Sequence, residues 1–218
     1  MRRFNFLKRE PGDFAFSIVA IALFGTSSLA FGGGIQGTAH DFSPLAWSKG
    51  ALCETCHTPH HADTSQPTVP LWNHSTTQQV FIPYQSNTLK ASVGQPDGVS
   101  KLCLSCHDGT IAVDSFGGYA GTNIVANPIG PNLNSSQGHW GHPISFVYDS
   151  NLASVDGSLN DPNTARTALG GTINADLLSS GQLQCTSCHD VHNKYGNPTL
   201  MKITETNDTL CATCHNNM

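Results

Sequence analysis

The sequence predicts a mostly irregular chain, coil with a few short helices, organised around something other than a sheet or a helix bundle. Three observations carry that expectation. Ser (21), Thr (20), Asn (16), Gly (21) and Pro (12) are abundant among the 218 residues, and such residues make turns more readily than long helices. Charged residues are only 11% of the chain, against about 25% in an average soluble protein. All eight cysteines fall in four copies of one short pattern.

The start of the chain is read apart from the fold. Arg2, Arg3, Lys8 and Arg9 precede an apolar run from Phe14 to Phe24, and small residues follow to Ser28-Leu29-Ala30. Basic, then apolar, then small-x-small is the layout of a secretory signal peptide. Residues 1–30 are therefore expected to be cleaved after Ala30, leaving one domain over residues 31–218. An uncleaved anchor is the alternative, although the run falls short of the ~20 mainly apolar residues of a spanning helix. The remainder has no second apolar stretch able to span a membrane and holds 6 Lys+Arg against 13 Asp+Glu. Without a basic stripe, a nucleic-acid partner is not expected.

The four cysteine patterns are Cys53-Glu-Thr-Cys56-His57, Cys103-Leu-Ser-Cys106-His107, Cys185-Thr-Ser-Cys188-His189 and Cys211-Ala-Thr-Cys214-His215. C-x-x-C-H is the attachment signature of c-type haem. Two thiols three positions apart reach the two vinyl groups of one haem and form thioethers, and the next residue brings an imidazole under the iron as proximal ligand. Zinc sites and redox disulfides also use paired cysteines, but neither requires a histidine after every pair. The expectation is four covalently bound haem c groups, with His57, His107, His189 and His215 as proximal ligands.

Seven histidines lie outside these patterns: His40, His60, His61, His74, His139, His142 and His192. Methionine is the usual alternative axial ligand, and beyond residue 30 only Met201 and Met218 are present. Bis-histidine iron is therefore expected. His60 and His192 each stand three residues after a proximal histidine, on the same side of a helical turn. Neither can cross its own haem, but each can reach the iron of a neighbour and staple two haems together. His40 and His142, beside apolar or aromatic residues, are the remaining distal candidates, with His61, His74 and His139 in reserve.

Pro59, Pro67, Pro70, Pro83 and Pro96 exclude a long helix between residues 58 and 102. A short hairpin is expected near Ile144–Tyr148, and a helix over residues 174–183, capped by Asn174 and ended at Gly181. Short helices should surround the cysteine motifs. Phe42, Trp47, Leu71, Trp72, Phe81, Phe116, Trp140, Phe146 and Tyr148 are candidates for packing on haem or in an ordinary core. The haems themselves are expected to form most of the apolar interior.

The phrases CETCHTPHHA, PLWN, SKLCLSCHDGTIAV, GHPISFVYD, LQCTSCHDVHN and LCATCHNN resemble the doubled-CXXCH multihaem cytochromes of metal-reducing Geobacter-type bacteria, over most of residues 36–216. The resemblance implies a multihaem cytochrome c fold, coil and short helices wrapped around a stacked haem chain with bis-histidine irons. It also implies an outer-surface or extracellular protein that polymerises into filaments, with one distal histidine drawn from the adjacent subunit. His40, near the free N-terminus, is the candidate to cross. Implied partners are further copies of the chain, other redox cytochromes, and extracellular metal oxides or electrodes as acceptors. Because surplus histidines can close every iron, an electron conduit without catalytic residues is expected rather than an enzyme. A soluble periplasmic shuttle, a multihaem reductase and a membrane-anchored quinol dehydrogenase are the alternatives.

Overall fold

Helix α1 (Gly98–His107) opens the regular structure of the computed structural model, which describes residues 34–65, 69–134 and 141–217. Residues 1–30 with their expected cleavage point, Pro67, His139, Trp140 and Met218 lie outside the described residues. Helix α1 starts as soon as Pro96 is passed and buries Leu102 and Leu104. Leu104 packs against Phe81 and Leu133, so the last turn, which carries Cys106 and His107, is fixed by the helix's own apolar face.

Strand β1 (Phe146–Val147) follows. Helix α2 (Ser150–Asp156) is started by the Asp149 carboxylate, which accepts the Leu152 N–H, and stopped by Gly157 at φ 74°, the left-handed conformation that ends many helices. Helix α3 (Ile173–Asp176) is a single turn capped by Thr172. Strand β2 (Gln182–Leu183) pairs antiparallel with β1, Phe146 opposite Leu183. Helices α4 (Cys185–Cys188) and α5 (Thr209–Cys214) complete the order. Among the described residues no helix is long and apolar enough to cross a membrane.

Two expected elements are corrected. The helix over 174–183 is only the turn α3. The Asp176 carboxylate folds back to accept from the Thr167 hydroxyl and the Gly171 N–H. Ser180 and Gly181 then take φ of 53° and 76°, and Ser179 and Gln182 exchange both backbone hydrogen bonds at 3.0 Å. That is a two-residue primed turn, and it frees Gln182–Leu183 for the sheet. The strand expected near Ile144–Tyr148 exists, but its partner is β2 rather than a local hairpin arm.

The described residues also form a protein core of their own. Phe146, Tyr148, Leu152, Ile173, Leu177, Leu183, Met201, Ile203 and Leu210 are buried in one protein core, where a large apolar side chain contributes ~1.5–3 kcal/mol by leaving water. Tyr148 keeps its hydroxyl satisfied by donating to the Asn160 carbonyl at 2.6 Å. Phe81 belongs to the smaller cluster with Leu104, and Trp72 is buried while Leu71 is exposed. Phe42, Trp47 and Phe116 form a separate run of touching rings, with centroids 5.5 Å and 6.1 Å apart.

Candidate haem-binding site

Each cysteine motif is a helical turn. The His57 N–H donates to the Cys53 carbonyl at 2.8 Å, His189 to Cys185 at 3.0 Å and His215 to Cys211 at 2.9 Å, while Cys103, Cys106 and His107 end α1. The helical bond brings the two thiols to one side of the backbone and lets the chain turn away after the histidine.

Three of the motifs share a second device, a clasp of two backbone bonds around the proximal histidine. Asn73 donates to Cys56 and Thr58 to Leu71, both at 2.9 Å. Lys202 donates to Cys188 at 2.8 Å and Asp190 to Leu200 at 2.7 Å. Asn160 donates to Cys214 at 2.8 Å and Asn216 to Ser158 at 3.0 Å. His57, His189 and His215 thus stand opposite Trp72, Met201 and Leu159 in isolated antiparallel bridges. The motif at His107 is held differently: its carbonyl accepts from Ile129 at 2.7 Å. Next to it, buried Asp108 accepts from Thr77 and Thr110 hydroxyls.

The clasp also orients rings. His57 Nδ1 donates to the Pro70 carbonyl at 2.8 Å and His189 Nδ1 to Thr199 at 3.1 Å, and outside the motifs His142 Nδ1 donates to Pro143 at 2.8 Å. With the proton held on Nδ1, the Nε2 lone pair faces outward, ready for a metal.

The structure brings six histidines together in three pairs. The ring centroids of His57 and His192 are 6.2 Å apart, those of His40 and His107 5.9 Å, and those of His142 and His215 6.4 Å. A metal–imidazole nitrogen bond is about 2 Å, so two rings on opposite sides of one metal have centroids roughly 6 Å apart. The pairs have that spacing. Burial, with His107 and His189 nearby, pushes His40 down to about 4, which keeps the ring in the neutral form a metal requires.

Other histidines are placed otherwise. His189 has no ring partner among the described residues, though it lies close enough to His40 and His107 to influence both. His60 and His61 are exposed on the rim of a cleft of about 730 Å³ floored by Trp72, Phe116 and Tyr119. His74 is buried, with Nδ1 at 2.8 Å from the Ser75 carbonyl and Nε2 at 3.0 Å from that of Ala112. Both ring nitrogens lie within hydrogen-bond distance of a backbone carbonyl, and Nε2 is also 3.4 Å from Cys106 Sγ. His40 stands beside His107 of its own chain.

None of the eight cysteines is paired in a disulfide. Burial pushes the second thiol of every motif up, Cys56 and Cys188 to about 11 and Cys106 and Cys214 to about 12. Cys103 and Cys185 influence one another, which raises the Cys103 thiol and lowers that of Cys185. The same influences order the motifs along the chain of sites: Cys56 acts on Cys106, Cys185 on Cys103, and Cys211 on Cys188. Among the described residues no three of His, Cys, Asp or Glu converge as a metal cage, so a zinc cluster is not built. Two thiols and an opposed pair of imidazoles are the donor set that haem c takes from protein.

Residues 178–218 match the doubled CXXCH motif family. The match covers α4 and α5 and the motifs ending at His189 and His215. No curated protein matches the chain. The doubled CXXCH motif indicates covalently bound haem c, in keeping with a multihaem c-type cytochrome.

The CXXCH-x-x-H unit noted in the sequence extends further than the sequence reading found, into the segment that returns to clasp it. After His57 and after His189 the chain follows one path. The third residue (His60, His192) donates its N–H to the side chain two before it, Thr58 at 3.4 Å and Asp190 at 3.1 Å. The next residue (His61, Asn193) takes a positive φ of 59° or 52°, and so do Leu71 and Leu200, at 58° and 59°. His60 is therefore the structural counterpart of His192. The signal was present as Pro70-Leu71-Trp72 against Thr199-Leu200-Met201, but unequal loop lengths conceal it.

Proposed function

We propose that the chain is a tetrahaem c-type cytochrome that conducts electrons through closely packed bis-histidine haems in extracellular electron transfer. The observation that carries this reading is the set of three opposed histidine pairs, each including the histidine of one CXXCH motif. Haem c, when bound, supplies reversible one-electron exchange at iron. The chain's residues do the rest. Eight thiols would anchor haem c and the paired imidazoles would ligate its iron and keep small molecules off, while the carbonyls of Pro70, Thr199 and Pro143 hold the rings in the ligating tautomer. Histidine on both sides, rather than methionine, keeps potentials low, as suits electrons leaving for extracellular metal oxides, electrodes or other cytochromes. The doubled CXXCH family points to electron transfer rather than catalysis.

The same proposal includes export by residues 1–30 and assembly of copies into a filament at the outer cell surface. In support, His189 lacks a ring partner among the described residues, while His60, the counterpart of His192, is exposed. Ligation of His189's iron by His60 or His61 of another copy would complete the fourth pair and link subunits. Intact-mass measurement of the purified protein should give residues 31–218 plus four haems. The ferric protein should show no high-spin signal, and material sheared from cells should contain filaments by electron microscopy. Fewer haems, a high-spin iron as isolated, or only dispersed particles would each overturn the corresponding part.

A further inference from the structure

We propose that Asp190 is a positioning residue that sets both the aim and the electronic character of His192 toward the iron held at Cys53, Cys56 and His57. This rests on the haem reading above. Asp190 Oδ1 accepts the His192 N–H at 3.1 Å and Oδ2 accepts the Lys194 N–H at 2.8 Å, folding residues 190–194 into the loop that presents the ring opposite His57. The same Oδ1 lies 3.7 Å from His192 Nδ1.

The counterpart loop shows that the turn itself needs no charge. Thr58 occupies the position of Asp190, and its neutral hydroxyl accepts from His60. The charge is therefore not what the His192 N–H bond requires, and its distinctive effect falls on the ring behind which it sits. Its side chain is only 16% exposed although that of His192 is 67% exposed, so solvent screens the carboxylate less than it would a surface charge. Of the cations nearby, Lys202 is close enough to Asp190 to feel its charge, but neither it nor Lys194 forms an ion pair with the carboxylate. Lys202 Nζ donates to the Asp176 carbonyl at 3.0 Å, and Lys194 Nζ lies over the Tyr195 ring. Negative charge behind a metal-bound imidazole makes it a stronger donor and favours the oxidised metal. By contrast, His57 on the other side meets only the neutral carbonyl of Pro70, and His40 Nδ1, in the second pair, is enclosed without a partner. The chain thus singles out the motif at His57 for a lower potential.

The test uses the haem-loaded protein with Asp190→Thr, which copies Thr58, alongside Asp190→Asn and Asp190→Glu. Midpoint potentials are resolved haem by haem by spectroelectrochemistry with NMR assignment. Asp190→Thr and Asp190→Asn should each make reduction of the haem at Cys53 and Cys56 about tenfold more favourable, a rise of about 59 mV for one electron. All irons should stay low-spin, and Asp190→Glu should restore the native value. Unchanged midpoints in the Thr and Asn variants, a shift confined to another haem, or an equal shift in the Glu variant would overturn the proposal. His192→Ala separates the two levels: a high-spin iron at Cys53 and Cys56 upholds the underlying pairing whatever Asp190 does, and an unaltered spectrum removes both.

Discussion

Removing His57 and His192 together should damage one haem, whereas removing His57 and His107 should damage two. The rings of His57 and His192 lie 6.2 Å apart and nearly parallel, at 18°, a gap spanned by two metal–nitrogen bonds of about 2 Å each. Alanine stops at Cβ and leaves that axial position to water. Each single variant should therefore turn one low-spin iron high-spin, with all thioether links intact by mass. If His57 and His192 serve the same iron, the double variant His57→Ala/His192→Ala gives the high-spin intensity of one haem, a fully non-additive result. His57→Ala/His107→Ala gives two. Integration of the high-spin ferric EPR signal against protein concentration measures both. Twice the single-variant intensity in His57→Ala/His192→Ala would show that the two rings serve different irons, and the pairing would fail.

Other expectations follow from burial. His74→Ala should leave every iron low-spin yet cost ~1–3 kcal/mol in denaturant unfolding, because a carbonyl beside the ring, that of Ser75 or of Ala112, loses its donor; a new high-spin signal would make His74 a ligand after all. Leu104→Ala, at a side chain only 1% exposed, should cost ~3–5 kcal/mol by the same assay. Gln184, also buried, accepts from Ser100 at 3.1 Å and donates to Asp97 at 3.0 Å; Gln184→Ala should cost ~1–3 kcal/mol and loosen α4 from α1.

The readable part of the site was the part written locally. Cysteines three apart with a histidine next to the second place thiols and proximal imidazole on one turn, whatever the rest of the chain does, and the spacing of His192 from His189 already excludes its own haem. The fold class of short helices in coil was equally legible, because Gly, Pro, Ser, Thr and Asn act on the backbone where they stand. The tertiary structure alone decided which imidazole meets which. His192 opposes His57, His40 opposes His107, and His74 is buried against backbone carbonyls, because partners distant in sequence are set by packing of α1, the sheet and the clasps. It also decided that residues 174–183 give up a helix. Gln182 and Leu183 gain more as the strand opposite Phe146, with Leu183 buried beside Ile173 and Leu177, than local propensity offers in a helical turn.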